Sequence, residues 1–447
     1  DNSFGAGGTN AHVVLRSFNS QEVHSSDSRQ EVESSEVDLF TVSAQSKEAL
    51  RDNVTRYIEF LESTTSSLAD ICYTTGARRS VLDYRLSVAC RTKTELKEKL
   101  TAFLEDETRA GMYFQKAKRD HKPKLGFIFS GQGPQWFAMG QELLESSPIF
   151  REVVERIDRH FRKLAHWALL EEMTRDEKTS RVSETRIAQP AIMAVQIGLT
   201  EIWKSRGVTP EGCVGHSKGE VAAAYTSGAL TLEEAVEVIY HRSRGQHRAT
   251  DKGKMLAAAL TVEEAREAIA GVEDVVSIAA INGPAMLTLS GDAEPLERIA
   301  EQLEKKDIFH RFLRVNVPFH SHHMEPLKEE LIESLSHLVT GRAQIPLYST
   351  VTGKQEDGLH LVSEYWYQNV REPVYFTDAL AQMADDGFDT FIEIAPHPVL
   401  TIGASDLLKS KNIKNAFIVP SLRRKEDEAL IMKGSLGMLY TQGYSIN

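Results

Sequence analysis

Hydrophobic positions in residues 39–123 follow two spacings. Residues 39–43 are rich in strand-forming side chains, and residues 85–90 alternate apolar and polar ones. Two other stretches, residues 47–62 and 94–104, have the spacing of amphipathic helices. The pattern predicts a small α+β domain over residues 39–123.

After this domain, apolar strands, glycine turns and helices alternate. A buried strand is predicted at residues 125–129, before Gly131-Gln132-Gly133, and a long helix near residues 190–205. A short strand at residues 212–214 meets Gly215-His216-Ser217-Lys218-Gly219, and another helix follows. This order is typical of a parallel sheet with helices on both faces, so the predicted fold class is α/β with an α/β-hydrolase-like core.

Residues 255–315 have a different order of elements. Strand-like and helix-like stretches follow one another as β-α-β-β-α-β. This order is that of a split βαβ unit, so we predict a small ferredoxin-like subdomain over residues 255–315. It would be inserted in a large subdomain formed by residues 124–254 and 316–416.

The first 38 residues have little regular pattern. Residues 1–15 combine a glycine-rich turn with a short apolar run that predicts a strand. Residues 16–38 hold seven serines and six acidic residues, a composition typical of a flexible linker. The chain opens at Asp1 without a charged-then-apolar leader, and we expect it to be a piece of a longer protein.

Charge and cysteine content narrow the class of protein. The chain has 52 basic and 64 acidic residues, a net charge of −12 that argues against non-specific nucleic-acid binding. No apolar run approaches the roughly 18 residues of a membrane helix. Three scattered cysteines do not indicate a disulfide framework or a zinc site. We predict a cytoplasmic protein that binds neither nucleic acid nor membrane.

The strongest chemical signal is Gly215-x-Ser217-x-Gly219, between a predicted strand and a predicted helix. The glycines permit a sharp turn that lifts the Ser217 hydroxyl out of the sheet. The N–H groups of a helix N-terminus then favour negative charge beside it. The alternative is an ordinary turn with a serine cap, but the strand-turn-helix context favours a nucleophile.

A nucleophilic serine needs a base, and two of the 15 histidines are candidates. His320 ends the segment Val-Pro-Phe-His, and His397 lies between two prolines; either also fits a structural histidine. The i, i+2, i+3 spacing of His320, His322 and His323 lacks a matching acidic or cysteine partner, so no metal site is predicted.

Acyl transfer also needs donors for an oxyanion. The backbone N–H of Lys218 follows the nucleophile, and the loop at Gln132 ends the neighbouring strand; a plain turn is the alternative there. Arg242 and Arg244 follow on a helix-like stretch and are candidates for binding a carboxylate. A solvated face is the alternative for both arginines.

Together these motifs resemble the acyltransferase domains of type I modular polyketide synthases, relatives of the malonyl-CoA:acyl carrier protein transacylases. Residues 1–15 resemble a ketosynthase tail, residues 39–123 the ketosynthase–acyltransferase linker, and residues 417–447 the segment after the acyltransferase. No ketosynthase role is carried over to His12. The matching pieces in the acyltransferase are Phe129-Ser-Gly-Gln-Gly133, Gly215-His-Ser-Lys-Gly-Glu220, Asn282-Gly-Pro284, Phe319-His-Ser321 and Pro396-His-Pro-Val-Leu400.

The resemblance implies a role for each matching residue. Ser217 would be the acylated nucleophile, His320 its base, and Asn369 the residue that orients this histidine through a carbonyl oxygen. The remaining roles are carboxylate binding by Arg242, oxyanion-hole N–H groups from Gln132 and Lys218, and pocket lining or support by His216 and Asn282.

The reaction implied by the resemblance has two steps. Ser217 takes an acyl group from malonyl-CoA or a related acyl-CoA, and the phosphopantetheine thiol of an acyl carrier protein then removes it. No metal or tightly bound cofactor is implied. The partners are acyl-CoA, the acyl carrier protein and the ketosynthase domain of the same chain.

The extender unit depends on two positions. In the family a phenylalanine before the catalytic histidine is associated with malonyl, because its ring would fill the volume of an α-methyl group; Phe319 therefore favours malonyl. Lys218 departs from the apolar residue or glutamine usual in the family. Its ammonium could contact a polar α-substituent, or its stem could pack while the charge reaches solvent. A donor carried on an acyl carrier protein also remains open.

Two other functions compete with this interpretation. A serine hydrolase would need a carboxylate to orient His320, and neither Asp292 nor Asp307 lies at a clear strand end. A catalytically dead carrier-protein binding module is the second alternative. The set of Ser217, His320 and Arg242 argues against it.

Overall fold

The computed structural model describes residues 36–117, 122–413, 416–444 and 446, together with the backbones of residues 2–4 and 10–12. Strands β1 (Asn2–Phe4) and β2 (Asn10–His12) pair antiparallel, with Asn2 opposite His12. The predicted strand at residues 13–15 and residues 16–35 of the predicted linker lie outside the described residues.

A three-stranded antiparallel sheet in the order β3-β4-β5 forms the first folded unit, with two of its flanking helices as predicted. Phe40 lies opposite Val88 in this sheet. Pattern reading missed α2 and β5, and β5 is an edge strand whose half-exposed and exposed residues leave no apolar alternation. The elements are β3 (Asp38–Ala44), α1 (Lys47–Ser63), α2 (Leu68–Ala77), β4 (Tyr84–Cys90), α3 (Lys93–Leu104) and β5 (Met112–Lys116).

The large subdomain begins with a buried strand and a layer of helices. Its long helix begins at Thr185, five residues before the predicted start, and Pro190 lies inside it. The elements are β6 (Leu125–Phe129), α4 (Gln141–Ser146), α5 (Pro148–Leu164), α6 (Leu169–Met173), α7 (Thr185–Ser205), β7 (Gly212–Gly215), α8 (Gly219–Thr226) and α9 (Leu232–His247).

The inserted subdomain has the predicted β-α-β-β-α-β order. Its four strands are antiparallel in the order β11-β8-β10-β9, which is the ferredoxin-like arrangement. The last strand is short, because only three of its residues pair with β8. The elements are β8 (Lys254–Ala258), α10 (Val262–Ala268), β9 (Val276–Gly283), β10 (Met286–Gly291), α11 (Ala293–Lys305) and β11 (His310–Phe312).

The chain then returns to the large subdomain. A 3₁₀ helix (His322–Leu327) directly precedes α12. The elements are α12 (Lys328–Ser334), β12 (Leu347–Tyr348), β13 (Gln355–Glu356), α13 (Ser363–Arg371), α14 (Phe376–Asp385), β14 (Thr390–Ile394), α15 (Thr401–Ser410), β15 (Phe417–Pro420) and α16 (Glu428–Gln442).

The large subdomain is built on a six-stranded sheet in the order β13-β12-β7-β6-β14-β15. Every neighbouring pair is parallel except β12 and β13. The central strands β7, β6 and β14 therefore end at the same edge of the sheet. Ligands of open α/β sheets bind at this carboxyl edge. Gln132 and Ser217, both predicted to take part in the chemistry, follow β6 and β7 at this edge.

The C-terminal residues belong to two units. β15 pairs with β14, so the large sheet extends past the predicted boundary at residue 416. Helix α16 instead packs on the β3-β4-β5 sheet, where Arg85 Nη1 donates a hydrogen bond to the Tyr440 carbonyl over 2.8 Å. Within the described ranges, no helix is both long and apolar enough to cross a membrane.

Candidate active site

Ser217 lies in the turn between β7 and α8, and its backbone is held in the left-handed region at φ 52°. A side chain at Gly215 would place Cβ 2.3 Å from Glu220 Cα, and one at Gly219 would place it 2.2 Å from the Phe129 carbonyl oxygen. Both positions therefore require glycine. Strained, non-glycine backbone of this kind is often found at functional sites.

His320 contacts the serine as a base should. Its Nε2 lies 2.7 Å from Ser217 Oγ, and its Nδ1 lies 2.9 Å from the Glu372 carbonyl oxygen. The carbonyl accepts only from a protonated Nδ1, which leaves the lone pair on Nε2 facing the hydroxyl. Burial, with Arg242 nearby, lowers the pKa of His320 to about 3, so the imidazole is neutral at physiological pH.

The prediction that Asn369 orients His320 is wrong. The oxygen that faces Nδ1 is the backbone carbonyl of Glu372. The Asn369 Oδ1 is already engaged, because it accepts from Arg242 Nε at 3.0 Å, and its Nδ2 donates to the Ser217 carbonyl at 3.1 Å. Asn369 therefore contacts both Ser217 and Arg242. A backbone carbonyl has no sequence signature that could have indicated the true partner.

Arg242 is buried beside the nucleophile and bonded only to neutral groups among the described residues. Its Nη2 donates to Ser217 Oγ at 2.9 Å, and its Nη1 donates to Gln189 Oε1 at 2.7 Å and Gln246 Oε1 at 2.8 Å. With Nε on Asn369, the guanidinium is fixed without a carboxylate partner. A buried cation in this state is suited to bind an anionic ligand.

Glu220 is the acid nearest this network. Its carboxylate accepts from Tyr365 Oη, Thr350 Oγ1 and Asn369 Nδ2. Burial raises its pKa to about 7, and the hydrogen bonds from Tyr365 and Thr350 oppose the rise. Burial lowers the pKa of Arg242, and the Glu220 charge opposes that shift. Sequence reasoning quoted Glu220 in a motif but assigned it no role.

Two backbone N–H groups lie where an oxyanion hole was predicted. Gln132 follows β6 and Lys218 follows β7, and these strands are parallel neighbours. Neither N–H has an acceptor in residues 36–117, 122–413, 416–444 or 446. The Gln132 side chain is held by Gln189, whose Nε2 donates to Gln132 Oε1 at 3.0 Å. Both N–H groups are therefore available to a ligand oxygen.

The prediction that the Lys218 charge reaches solvent is wrong. The Lys218 side chain is 1% exposed, and its Nζ donates to Gln196 Oε1 at 2.9 Å. Its charge therefore does not reach solvent, and its bonded partner is a protein amide. Burial, together with the nearby Arg242, lowers the pKa of this ammonium well below 10.5.

His216 and Asn282, which were predicted to line or support the pocket, lie next to each other. His216 Nε2 lies 2.8 Å from Asn282 Oδ1, which joins the nucleophile turn to the inserted subdomain. A Cβ at Gly131 would lie 2.8 Å from His216 Nδ1, so the loop that holds Gly131 and Gln132 passes directly over the His216 ring. Phe319 is buried next to His320.

Two candidates lie outside the site. His397 Nδ1 accepts from the Arg424 backbone N–H at 3.1 Å, so it is not the base of Ser217. Arg244 is half-exposed and paired with Glu330 at 2.7 Å, so it does not share the nucleophile with Arg242.

The structure supplies an acidic neighbour that the sequence did not reveal. Asp292 Oδ1 lies 2.8 Å from His323 Nε2 and 3.4 Å from His322 Nε2, and the three groups are close enough to share a metal ion. An ordinary hydrogen bond between Asp292 and His323 also accounts for the cluster. His320 takes no part in it.

Comparison with known proteins gives the family. Residues 126–445 match the family described as acyl transferase domain. The chain belongs to this acyl transferase family. Residues 38–100 match a second family, described as CurL-like, PKS C-terminal, which agrees with the ketosynthase-related linker predicted there.

The relatives of this acyl transferase are large synthases. It is 34% identical to polyketide synthase GfsA of Streptomyces halstedii and 32% identical to erythronolide synthase EryA2 of Saccharopolyspora erythraea, over 99% of its length in both cases. The chain spans only 6% and 12% of these two relatives.

Solved structures support the fold. The acyltransferase domain from module 8 of the salinomycin polyketide synthase is 31% identical, with a TM-score of 0.87 over 92% of this chain and 97% of that one. A loading acyltransferase from the avermectin modular polyketide synthase is 33% identical, with a TM-score of 0.67 over 71% of this chain and 99% of that one. The α/β class with a parallel sheet is confirmed.

The lowered pKa of His320 predicts the pH range of the acyl transferase. Protonation of Nε2 removes the base, and a lowered pKa moves that loss to lower pH. The single-turnover rate of Ser217 acylation at pH 5.5 should therefore be within about twofold of its value at pH 7.5. Rapid quenching and intact mass spectrometry measure it.

A decline centred near pH 6.5, the ordinary imidazole value, that persists when Glu220 is replaced by glutamine would contradict this environment for His320. Glu220 titrates in the same pH range, because its pKa is raised to about 7. The variant Glu220→Gln serves as the control: a decline that disappears in it belongs to Glu220, and one that persists belongs to the base.

Proposed function

We propose that this domain transfers an extender unit from acyl-CoA to Ser217 and then to the phosphopantetheine thiol of an acyl carrier protein. The observation that supports it is the position of Ser217 Oγ, 2.7 Å from the base on His320 and 2.9 Å from the Arg242 guanidinium. The proposed nucleophilic hydroxyl thus contacts both a base and an anion-binding cation.

In the first step, Ser217 Oγ attacks the thioester carbonyl of the donor while His320 Nε2 takes the hydroxyl proton. The tetrahedral oxyanion accepts from the backbone N–H groups of Gln132 and Lys218. The C–S bond then breaks, the CoA thiolate leaves with the proton from His320, and an acyl ester remains on Ser217.

In the second step, the phosphopantetheine thiol gives its proton to His320 Nε2 and attacks the ester carbonyl. The same two N–H groups stabilise the second oxyanion. The ester bond breaks, Ser217 Oγ recovers its proton from His320, and the acyl group leaves on the carrier protein. The described residues supply every proton transfer in this cycle, so no metal or tightly bound cofactor is needed.

Arg242 selects the class of acyl group in this proposal. Its guanidinium would hold the free carboxylate of a dicarboxylic donor through charge-assisted hydrogen bonds. A monocarboxylic donor offers no such partner and leaves the buried cation uncompensated. The site therefore favours malonyl-type units over acetyl.

Malonyl is the extender unit that we propose. Phe319 is buried beside the base, and its ring would occupy the volume that an α-methyl group needs. The alternative of a polar α-substituent loses its main support, because the Lys218 ammonium is bonded to Gln196. A malonyl group delivered from an acyl carrier protein would follow the same two steps.

A serine hydrolase is the weaker interpretation. Its histidine normally needs a carboxylate partner, whereas His320 is oriented by the Glu372 carbonyl. Asp292, one of the two acids considered for that role, contacts His323 instead. These contacts support the acyltransferase dyad.

The wider assignments are also proposals. Residues 1–15 would be the end of a ketosynthase domain in the same chain, residues 39–123 the linker between the two enzymes, and residues 417–447 the segment after the acyltransferase. We place the protein in the cytoplasm, where acyl-CoA donors are available.

Intact mass spectrometry with a panel of acyl-CoA donors tests the proposed function. We expect the wild type to gain one malonyl group from malonyl-CoA and little from methylmalonyl-CoA or acetyl-CoA. Ser217→Ala should gain no mass from any donor, because the nucleophile is missing. Stable loading of Ser217→Ala, or a wild type that only hydrolyses malonyl-CoA in the presence of carrier protein, would contradict it.

The ratio of malonyl to acetyl loading tests Arg242. Loss of a charge-assisted hydrogen bond costs about 1.5–3 kcal/mol, so Arg242→Ala should lower this ratio by about 10-fold to 150-fold. Arg244→Ala is the matched control, because Arg244 lies two residues away but pairs with Glu330. An unchanged ratio in a folded Arg242→Ala protein would show that the guanidinium does not read the carboxylate.

A further inference from the structure

The Lys218 ammonium lies where three neighbouring strands end. Lys218 itself follows β7, and its Nζ donates to Gln196 Oε1 at 2.9 Å. The Gln196 Nε2 donates to the Ser130 carbonyl, just after β6, and to the Ile394 carbonyl, at the end of β14, both at 2.9 Å. One lysine and one glutamine therefore connect the carboxyl ends of the three central strands.

The orientation of the Gln196 amide is fixed by these partners. Both carbonyls can only accept, so the NH₂ group must face them. The amide oxygen then faces Lys218 Nζ and accepts its hydrogen bond. A reversed amide would place NH₂ against the ammonium and its oxygen against two carbonyls. Because Gln196 is fully buried, water cannot relieve such a mismatch.

The Ser130 end of this chain of bonds leads directly to the oxyanion hole. Ser130 Oγ donates to Glu393 Oε1 at 2.6 Å, so the residue is held by both its hydroxyl and its carbonyl. Gly131 and Gln132 follow, and Gln132 carries one of the two N–H groups proposed to hold the oxyanion. Lys218 carries the other N–H in its own backbone.

We propose that the Lys218 side chain is a positioning residue for acyl transfer. Through Gln196 it fixes the Ser130–Gln132 loop, and so sets the spacing between the Gln132 N–H and the Lys218 N–H. The proposal rests on the proposed acyl-transfer function. It gives the lysine a role in stabilising the transition state and none in recognising the extender unit.

The free-energy cost of burying the Lys218 ammonium supports a specific role for this side chain. The ammonium is buried, and Gln196 is its one hydrogen-bond acceptor among the described residues. Arg242 is a second buried cation close to it. Burying an ammonium without an acidic partner is expensive, and an apolar side chain of the same length would fill the space at lower cost.

The first test is Lys218→Met, which keeps the stem and removes the donor. We expect the single-turnover rate constant for Ser217 acylation to fall about tenfold, because oxyanion donors that shift by a fraction of an ångström stabilise the transition state less. The apparent dissociation constant of the donor should stay within about twofold, because the side chain does not contact it. Rapid-quench mass spectrometry at several donor concentrations separates the two quantities.

A double-mutant cycle with Gln196 tests the route. Gln196→Met breaks the same connection from its other end and should slow acylation by at least as much as Lys218→Met. If both act through the loop, the double variant should be no slower than the slower single variant. Losses that multiply would overturn the proposal.

Two further variants separate positioning from general stability. Lys99→Met removes another largely buried lysine, which donates to the Ala89 carbonyl at 2.8 Å far from the site. It should lower the melting temperature and leave acylation unchanged. Lys218→Gln retains a donor toward Gln196 and should recover part of the rate; if Lys218→Met does not fold, this variant and Gln196→Met carry the test.

The rates are measured with whichever acyl-CoA loads the wild type and with an alkyl fluorophosphonate. The latter forms a Ser217 O–P bond as fluoride leaves and His320 takes the proton, so it reports on the oxyanion hole without reading the acyl group. Wild-type labelling by the fluorophosphonate but by no acyl-CoA would refute the proposed donor while leaving the lysine testable. A folded Lys218→Met protein with an unchanged rate constant, whether or not its dissociation constant for the donor is larger, would refute the positioning role.

Discussion

The site depends on a single hydroxyl that is shared by two nitrogen atoms from distant parts of the chain. His320 Nε2 and Arg242 Nη2 both contact Ser217 Oγ, at 2.7 and 2.9 Å. Ser217 and His320 both have left-handed backbone, with φ of 52° and 58°. Glycines on either side of the nucleophile let the turn pass close to β6, so the close-packed backbone holds the strained geometry in place.

Around this hydroxyl, the structure keeps positive charge in a buried place. Arg242 is bonded to amide and hydroxyl groups. Asn369 is bonded to both Arg242 and Glu220, so it lies between the two charged groups. The imidazole of His320 stays neutral because burial and the guanidinium oppose its protonation. In the proposed reaction, the same electrostatic setting would keep the base ready to accept a proton and would attract an anionic acyl group and a developing oxyanion.

Much of this architecture could be predicted from local sequence. The turn at Ser217 follows from glycine spacing, and the inserted subdomain follows from the order of its elements. The contacts that could not be predicted run through backbone carbonyls and a buried side-chain amide, which leave no recognisable pattern in the sequence. The partner of His320 is a backbone carbonyl at Glu372, and the partner of Lys218 is an amide on α7 that also holds two carbonyls. The start of α7 was misplaced because Pro190, a typical first-turn residue, lies farther inside the helix.

The most direct test of the account is a crystal structure of the wild-type domain trapped with a malonyl group on Ser217. The account predicts the ester carbonyl oxygen within hydrogen-bond distance of the Gln132 and Lys218 backbone N–H groups, and the free carboxylate against Arg242. A malonyl carboxylate directed away from Arg242, with its ester oxygen outside those two N–H groups, would contradict it.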